Sequence, residues 1–155
     1  MIFTGIMILK RTDHSSPDFQ ALIKQLDLDL RGRYPDDQDD YDQYNKVDAI
    51  DHVVVVYDED RAVGCGCFKT YDANAVEIKR MFVHPSSRGK GISKLVLQEL
   101  EKWAYELGFK KAVLETGTKQ HEAIGLYSKL NFSRIPNYGQ YANMPYSVCF
   151  EKVLG

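Results

Sequence analysis

Four residues carry the plainest chemical signal in the chain. Arg88-Gly89-Lys90-Gly91 stand directly before Ile92, Leu95, Val96, Leu100, Trp103, Ala104 and Leu107, apolar residues at spacings of three and four. That spacing predicts an amphipathic helix, closed by Gly108. The first N–H groups of a helix have no internal partner, and the helix dipole adds partial positive charge there. Glycines let an anion come close to those groups, and Arg88 and Lys90 add full charges. The loop therefore reads as a pyrophosphate cradle. Alone, the same stretch fits a turn whose basic residues face water. Its glycine spacing is neither that of a Walker A loop nor that of a dinucleotide fingerprint.

Other chemistry-bearing residues say less. Cys65, Cys67 and Cys149 are odd in number and show no paired Cys/His spacing, so they read as small buried hydrophobes. His14, His52, His84 and His121 likewise form no metal-ligand pattern, and no metal site is expected. His84, before Pro85, reads as structural, and the Trp103 stripe reads as core. Residues 34–45 hold Asp36, Asp37, Asp39, Asp40 and Asp42 among Tyr34, Tyr41 and Tyr44. They fit a solvated loop, or an acidic aromatic lip that favours a cation.

Positioning these residues is the task of one domain, 1–155. With 44% apolar and 27% charged residues, the chain has the balance of an ordinary globular protein. A formal net charge of −2 gives no global field toward nucleic acid or anionic lipid. No apolar run is long enough to span a bilayer, and the start lacks a signal-peptide pattern. The expectation is a cytoplasmic protein with no nucleic-acid or membrane partner.

Residues 6–10 read as a strand. Ser15 or Ser16 can cap a helix that begins at Pro17 and carries Phe19, Leu22, Ile23, Leu26 and Leu30. Strands are expected at 52–57, 61–70 and 76–83, joined by short turns and so antiparallel. A strand at 112–116, a helix at 122–130 and a strand at 147–153 follow the long helix. The order predicts an α/β protein with a mixed, mostly antiparallel sheet flanked by helices.

Glu77-Ile78-Lys79-Arg80-Met81-Phe82-Val83-His84-Pro85, then Arg88-Gly89-Lys90-Gly91-Ile92, resembles the central motif of the GNAT N-acetyltransferase superfamily. Arg88 and Gly91 match, while Ser93 stands where that motif has Gly or Ala. Leu114-Glu115-Thr116-Gly117, Gln120, Ala123, Ile124, Leu126-Tyr127 and Phe132 are similar to the second block of the superfamily. Ile135-Pro136, Tyr138-Gly139, Tyr141 and Cys149-Phe150-Glu151-Lys152 resemble a bacterial small-acceptor branch.

The resemblance implies a GNAT fold, acetyl-CoA as acetyl donor and a small-molecule amine as acceptor. It implies that the main chain of Met81, Phe82 and Val83 pairs with the pantetheine arm. The N–H groups of Arg88, Gly89, Lys90, Gly91, Ile92 and Ser93 would hold the pyrophosphate. Gln120 stands where relatives often have a cofactor-contacting Asn. Tyr127 holds the position of the acid that protonates the departing thiolate, with a core aromatic as the alternative. Glu77 is the candidate base, with Glu115 as its rival and an exposed, ion-paired strand residue as its alternative reading. The acceptor pocket is expected from the first helix, the Asp-rich loop and residues 135–144. The resemblance also allows a homodimer. A rival function is an acyl-CoA-binding sensor or interaction module without catalysis.

Overall fold

The computed structural model describes residues 6–33 and 49–155. Its elements in chain order are β1 (Met7–Thr12), α1 (Pro17–Arg33), β2 (His52–Asp58), β3 (Arg61–Thr70), β4 (Ala75–Val83), α2 (Ile92–Glu106), β5 (Lys111–Gly117), α3 (His121–Lys129), β6 (Ser133–Ile135) and β7 (Ser147–Val153). The strands hydrogen-bond in the order β1-β2-β3-β4-β5-β7-β6. Pairs β1/β2, β2/β3, β5/β7 and β6/β7 are antiparallel, and β4/β5 is parallel. The parallel pair requires a crossover, which α2 supplies. This is the expected mixed, mostly antiparallel sheet.

The chain forms two compact units, Met1–Phe68 with Arg80–Leu100, and Lys69–Lys79 with Glu101–Gly155. In the first unit, Ser16 caps α1 by accepting a bond from the Phe19 N–H at 3.2 Å, and Pro17 opens the helix. Phe19, Leu22 and Leu26 of α1 pack with Val53, Val55, Cys65 and Cys67 of β2 and β3. These strand residues are spaced by two and so share one face. Gly64 and Gly66 of β3 leave room for α2. A Cβ on Gly66 would lie 2.9 Å from Val96 Cγ1 and 3.0 Å from Leu100 Cδ1. One on Gly64 would lie 2.7 Å from Ile92 Cγ2. Their lack of a side chain is what lets the helix approach the strand.

In the second unit, β5 pairs with β7 along its whole length, from Lys111↔Val153 to Gly117↔Ser147. The Tyr127 ring of α3 stands edge-on to Phe132 at 5.7 Å and lies 5.9 Å from Phe150. Strand β6 was not expected. Ser-Arg-Ile shows no alternation of its own, and the strand exists because Ser133, Arg134 and Ile135 pair with Glu151, Phe150 and Cys149.

Two expectations need correction. The buried row of α2 is Ile92, Val96, Leu100 and Ala104, joined by Leu97, whereas Trp103 is partly exposed and Leu107 is 50% exposed. The row advances by four residues, and Trp103 and Leu107 lie beside it. Glu77 is not an exposed strand residue, since it is buried. The Asp-rich stretch at 34–45 lies outside the described residues. No described helix is long and apolar enough to cross a membrane.

Candidate active site

The basic loop belongs to the first unit. His84 ends β4 and caps a 3-10 turn, Pro85–Ser87, its Nδ1 accepting a bond from the Ser86 N–H at 3.2 Å. That supports its structural role. Gly89 and Gly91 follow with φ of 81° and 78°, the left-handed region that only glycine enters at little cost. No atom lies within 4 Å of a Cβ built on either, so the backbone there is open to a ligand. The first bond into the helix runs from the Leu95 N–H to the Gly91 carbonyl. The N–H groups before Leu95 thus lie at a helix N-terminus, beyond intrahelical pairing. Lys90 is exposed. Arg88 is partly committed to the fold, because its Nε donates to the Val83 carbonyl at 3.0 Å and its guanidinium lies 5.7 Å from the Phe82 ring centre. The loop can therefore hold a pyrophosphate with main-chain donors, Lys90 and the rest of the Arg88 guanidinium.

Strand β4 changes character along its length. It pairs with β5 from Ala75↔Lys111 to Ile78↔Leu114 and runs on to Val83 beyond the last pair. Arg80 has φ of 60°, a conformation costing a non-glycine residue about 1–2 kcal/mol. Its Nη2 bonds Asp27 of α1 at 2.8 Å, while its buried Nε has no partner among the described residues. This kink precedes Met81, Phe82 and Val83, whose main chain lies beyond the β5 ladder. Such a strand suits pairing with an extended ligand arm.

Glu77, upstream on β4, belongs to the second unit and is 2% exposed. Its Oε2 accepts a 2.7 Å bond from the Tyr138 hydroxyl. Its Oε1 lies 3.9 Å from the Nζ of both Lys69 and Lys79. Lys79 is itself buried, with Nζ 3.3 Å from the Tyr141 hydroxyl. Tyr138 stands edge-on between Tyr71 at 5.2 Å and Tyr141 at 5.6 Å. The loop that carries these phenols is pinned by Asn137 Nδ2, which donates to the carbonyls of Met144 and Ser147. Sequence reasoning placed residues 135–144 at the acceptor pocket, and this segment does supply Tyr138 and Tyr141 around Glu77. It missed Lys69 and gave Lys79 only an ion-pairing part. Lys79 follows Glu77 by two residues, the same-face spacing that would have signalled it.

Glu115 is the first β5 residue past the β4 ladder. It is partly exposed, and Ser147 Oγ donates to its Oε2 at 2.7 Å. Burial of the carboxyl pushes its pKa up to about 7, against the Ser147 bond and the Lys79 charge and with help from Glu77. Tyr127 is buried, and burial followed by the Glu115 charge raises its phenol pKa above the usual value. Burial likewise raises the Tyr138 and Tyr141 phenols. The three cysteines are buried, as expected, and burial lifts the Cys149 thiol to about 11. Gln120, at the N-cap of α3, accepts the Thr116 hydroxyl at 2.5 Å through its Oε1. Among the described residues, no three His, Cys, Asp or Glu are grouped to hold a metal ion.

Residues 19–132 match the family model described as the Acetyltransferase (GNAT) family. The chain belongs to the GNAT acetyltransferase family. Membership makes it an acyltransferase of the N-acetyltransferase type, dependent on acetyl-CoA. It is 34% identical to an IAA acetyltransferase of Azospirillum brasilense over 137 residues, covering 86% of this chain and 88% of that one. A solved Klebsiella pneumoniae structure assigned to the acyl-CoA N-acyltransferases has a TM-score of 0.80 and 26% identity, covering 97% of this chain and 99% of the other. A GNAT acetyltransferase from Elizabethkingia anophelis, solved with acetyl-CoA bound, shares the fold at a TM-score of 0.68 and 16% identity, covering 96% and 98%. This GNAT acetyltransferase thus has an anion-ready loop and a strand end past the β5 ladder in one unit. Its buried carboxylate, lysine and phenol cluster lies in the other.

Proposed function

We propose that the protein acetylates the amine of a small molecule by direct transfer from acetyl-CoA. The observation that carries this reading is the cluster of Glu77, Lys79, Glu115, Tyr138 and Tyr141 in the second unit. It offers carboxylates that can bind and deprotonate an ammonium, phenols that can hydrogen-bond it, and a buried lysine that tunes the carboxylates. The relative named as an IAA acetyltransferase supports a small-molecule acceptor.

Acetyl-CoA supplies the activated acetyl group when bound. The N–H groups of Arg88, Gly89, Lys90, Gly91, Ile92 and Ser93, with the two basic side chains, hold its pyrophosphate. The main chain of Met81, Phe82 and Val83 aligns the pantetheine arm, and an N–H of this strand can stabilise the developing oxyanion. Gln120, whose Oε1 is taken by Thr116, keeps its amide N–H donors for the donor substrate. A carboxylate of the Glu77 and Glu115 pair takes the proton from the acceptor ammonium. Tyr127 stays protonated at neutral pH, so it can give a proton to sulfur while taking one from nitrogen.

The test is purified protein with acetyl-CoA and a panel of small amines. Free thiol is read by colorimetry and the acetylated product by mass spectrometry. Thiol release that rises with an amine, with matching product, is the expected result. Coenzyme A binding without amine-dependent release over a broad panel would instead favour an acyl-CoA sensor.

A further inference from the structure

Two carboxylates stand in the acceptor cluster, and their surroundings differ in a way that separates their work. Resting on the transferase reading above, we propose that Glu115 of β5, and not Glu77 of β4, is the catalytic residue that takes the proton from the acceptor amine. Glu77 is then a positioning residue that holds Lys79 and Tyr138 beside it.

A base must reach its substrate to within a hydrogen bond or one water. Glu77 is 2% exposed, one oxygen is covered by the Tyr138 hydroxyl, and the other faces the ammonium groups of Lys69 and Lys79. Its lone pairs are directed at protein cations and donors. Glu115 is partly exposed, and Ser147 Oγ donates to its Oε2. Oε1 takes no part in that bond and is the oxygen proposed to face the acceptor.

Glu77 lies inside the β4/β5 ladder, paired with Val113, whereas Glu115 is the first residue of β5 beyond it. Residues two apart on a strand share a face, so Glu115 lies on the face of Val113 and hence of Glu77 and Lys79. On β7, Ser147 and Cys149 share that face through the Glu115↔Cys149 pair. The titratable groups that bear on Glu115 are Glu77 and Lys79 of β4, Cys149 of β7, Tyr141 of the 135–144 segment and Tyr127 of α3. The phenols and the thiol are all raised and stay neutral at physiological pH. The charges that act on Glu115 are those of Glu77 and Lys79, and they oppose one another. Burial then holds the proton affinity of Glu115 near neutrality, where a general base works best.

The step balances as follows. The acceptor ammonium gives one proton to Glu115. The freed nitrogen lone pair forms the C–N bond to the acetyl carbon, and the C–S bond breaks. The second nitrogen proton passes to sulfur through Tyr127, which gives its own proton and takes that one. Glu115 then releases its proton to water.

The test is the pH profile of kcat/KM in wild type, Glu115→Gln, Glu115→Asp, Glu77→Gln and Lys79→Met. Two acceptors of different amine basicity are used, so that an enzyme limb is told from an amine limb. Wild type is expected to show an acceptor-independent rise centred near pH 7. Glu115→Gln should lose that rise and about 100-fold or more in rate while still binding coenzyme A. Glu115→Asp should restore part of the rate. Glu77→Gln removes a charge that raises Glu115, so its limb moves to lower pH. Lys79→Met removes one that lowers it, so its limb moves to higher pH. A wild-type limb in Glu115→Gln, or a limb lost only in Glu77→Gln, overturns the proposal. Carbon-13 NMR of labelled Glu carboxyls, with Glu115 assigned by difference, gives a second readout that needs no acceptor. An ordinary carboxylate midpoint for Glu115 also overturns it. Failure of every amine to raise thiol release defeats the transferase reading instead, and the NMR titration keeps the two failures apart.

Discussion

Gly66→Ala tests the packing that holds the donor-side elements together. A Cβ on Gly66 would stand 2.5 Å from Met81 Sδ, 2.9 Å from Val96 Cγ1 and 3.0 Å from Leu100 Cδ1. Real Cβ atoms essentially never approach within 3.0 Å, so something must shift. Met81 can yield cheaply, because its thioether is the end of a flexible side chain. Val96 cannot, because a β-branched residue in a helix has essentially one χ1 rotamer. The remaining way out is for α2 to move off β3. Overpacking of this kind costs about 1–3 kcal/mol, offset by about 0.4–1 kcal/mol from the stiffer unfolded chain. A net loss of about 1–2 kcal/mol lowers Tm by roughly 2–8 °C in a chain this size. Gly125→Ala is the control. It lies in α3 with no atom within 4 Å of the new Cβ, and should gain about 0.5–1 kcal/mol. Urea and thermal unfolding measure both variants, and isothermal titration with coenzyme A reads the effect on α2 and its loop. Gly66→Ala should unfold earlier and bind more weakly. A Gly66→Ala protein as stable as wild type would refute the tight β3–α2 contact.

Gly91→Ala should weaken coenzyme A binding by up to about tenfold, because φ of 78° strains an L-residue by about 1–2 kcal/mol. Calorimetric titration checks it, and unchanged affinity would mean that the left-handed turn is not needed for binding. Tyr127→Phe keeps the ring contacts with Phe132 and Phe150, so stability should change by less than about 1 kcal/mol. The acid role then predicts a fall in kcat of about 10²–10⁴-fold, seen in single-turnover thiol release, and a normal kcat leaves Tyr127 a core aromatic. Glu115→Gln should also change how stability depends on pH. Burial raises the native Glu115 pKa from 4.5 to about 7, so the native state holds the proton more tightly than the unfolded chain does. That contribution is present below about pH 4.5 and is lost as pH rises through about 7. Wild type should lose on the order of 2–3 kcal/mol across this window relative to Glu115→Gln, measured by urea unfolding at several pH values. Parallel curves for the two proteins would show that the carboxyl is not perturbed.

Local rules made much of the fold legible. The Arg61–Thr70 and Ser147–Val153 strands were read with their observed bounds, because alternation and turn residues mark them within a few positions of the chain. The start of α1 was readable from Ser16 and Pro17, whose capping geometry is local. The anion loop was legible for the same reason, since a helix start, two glycines and two basic residues sit side by side. Strand β6 was not, because its cause lies in β7. The exposure of Trp103 and Leu107 was not either, because helical periodicity does not say how far round a helix its neighbours reach.

The acceptor side shows the division most clearly. The sequence by itself determined the family and two candidate carboxylates, since both depend on residue types in a fixed order. It put Glu77 forward as the base with Glu115 as its rival, on strand position alone. Only the tertiary structure separated them, by sealing Glu77 under Tyr138 between two lysines and leaving Glu115 partly open beside Ser147. The difference is one of solvation and neighbouring charge. Both arise from residues distant in the chain.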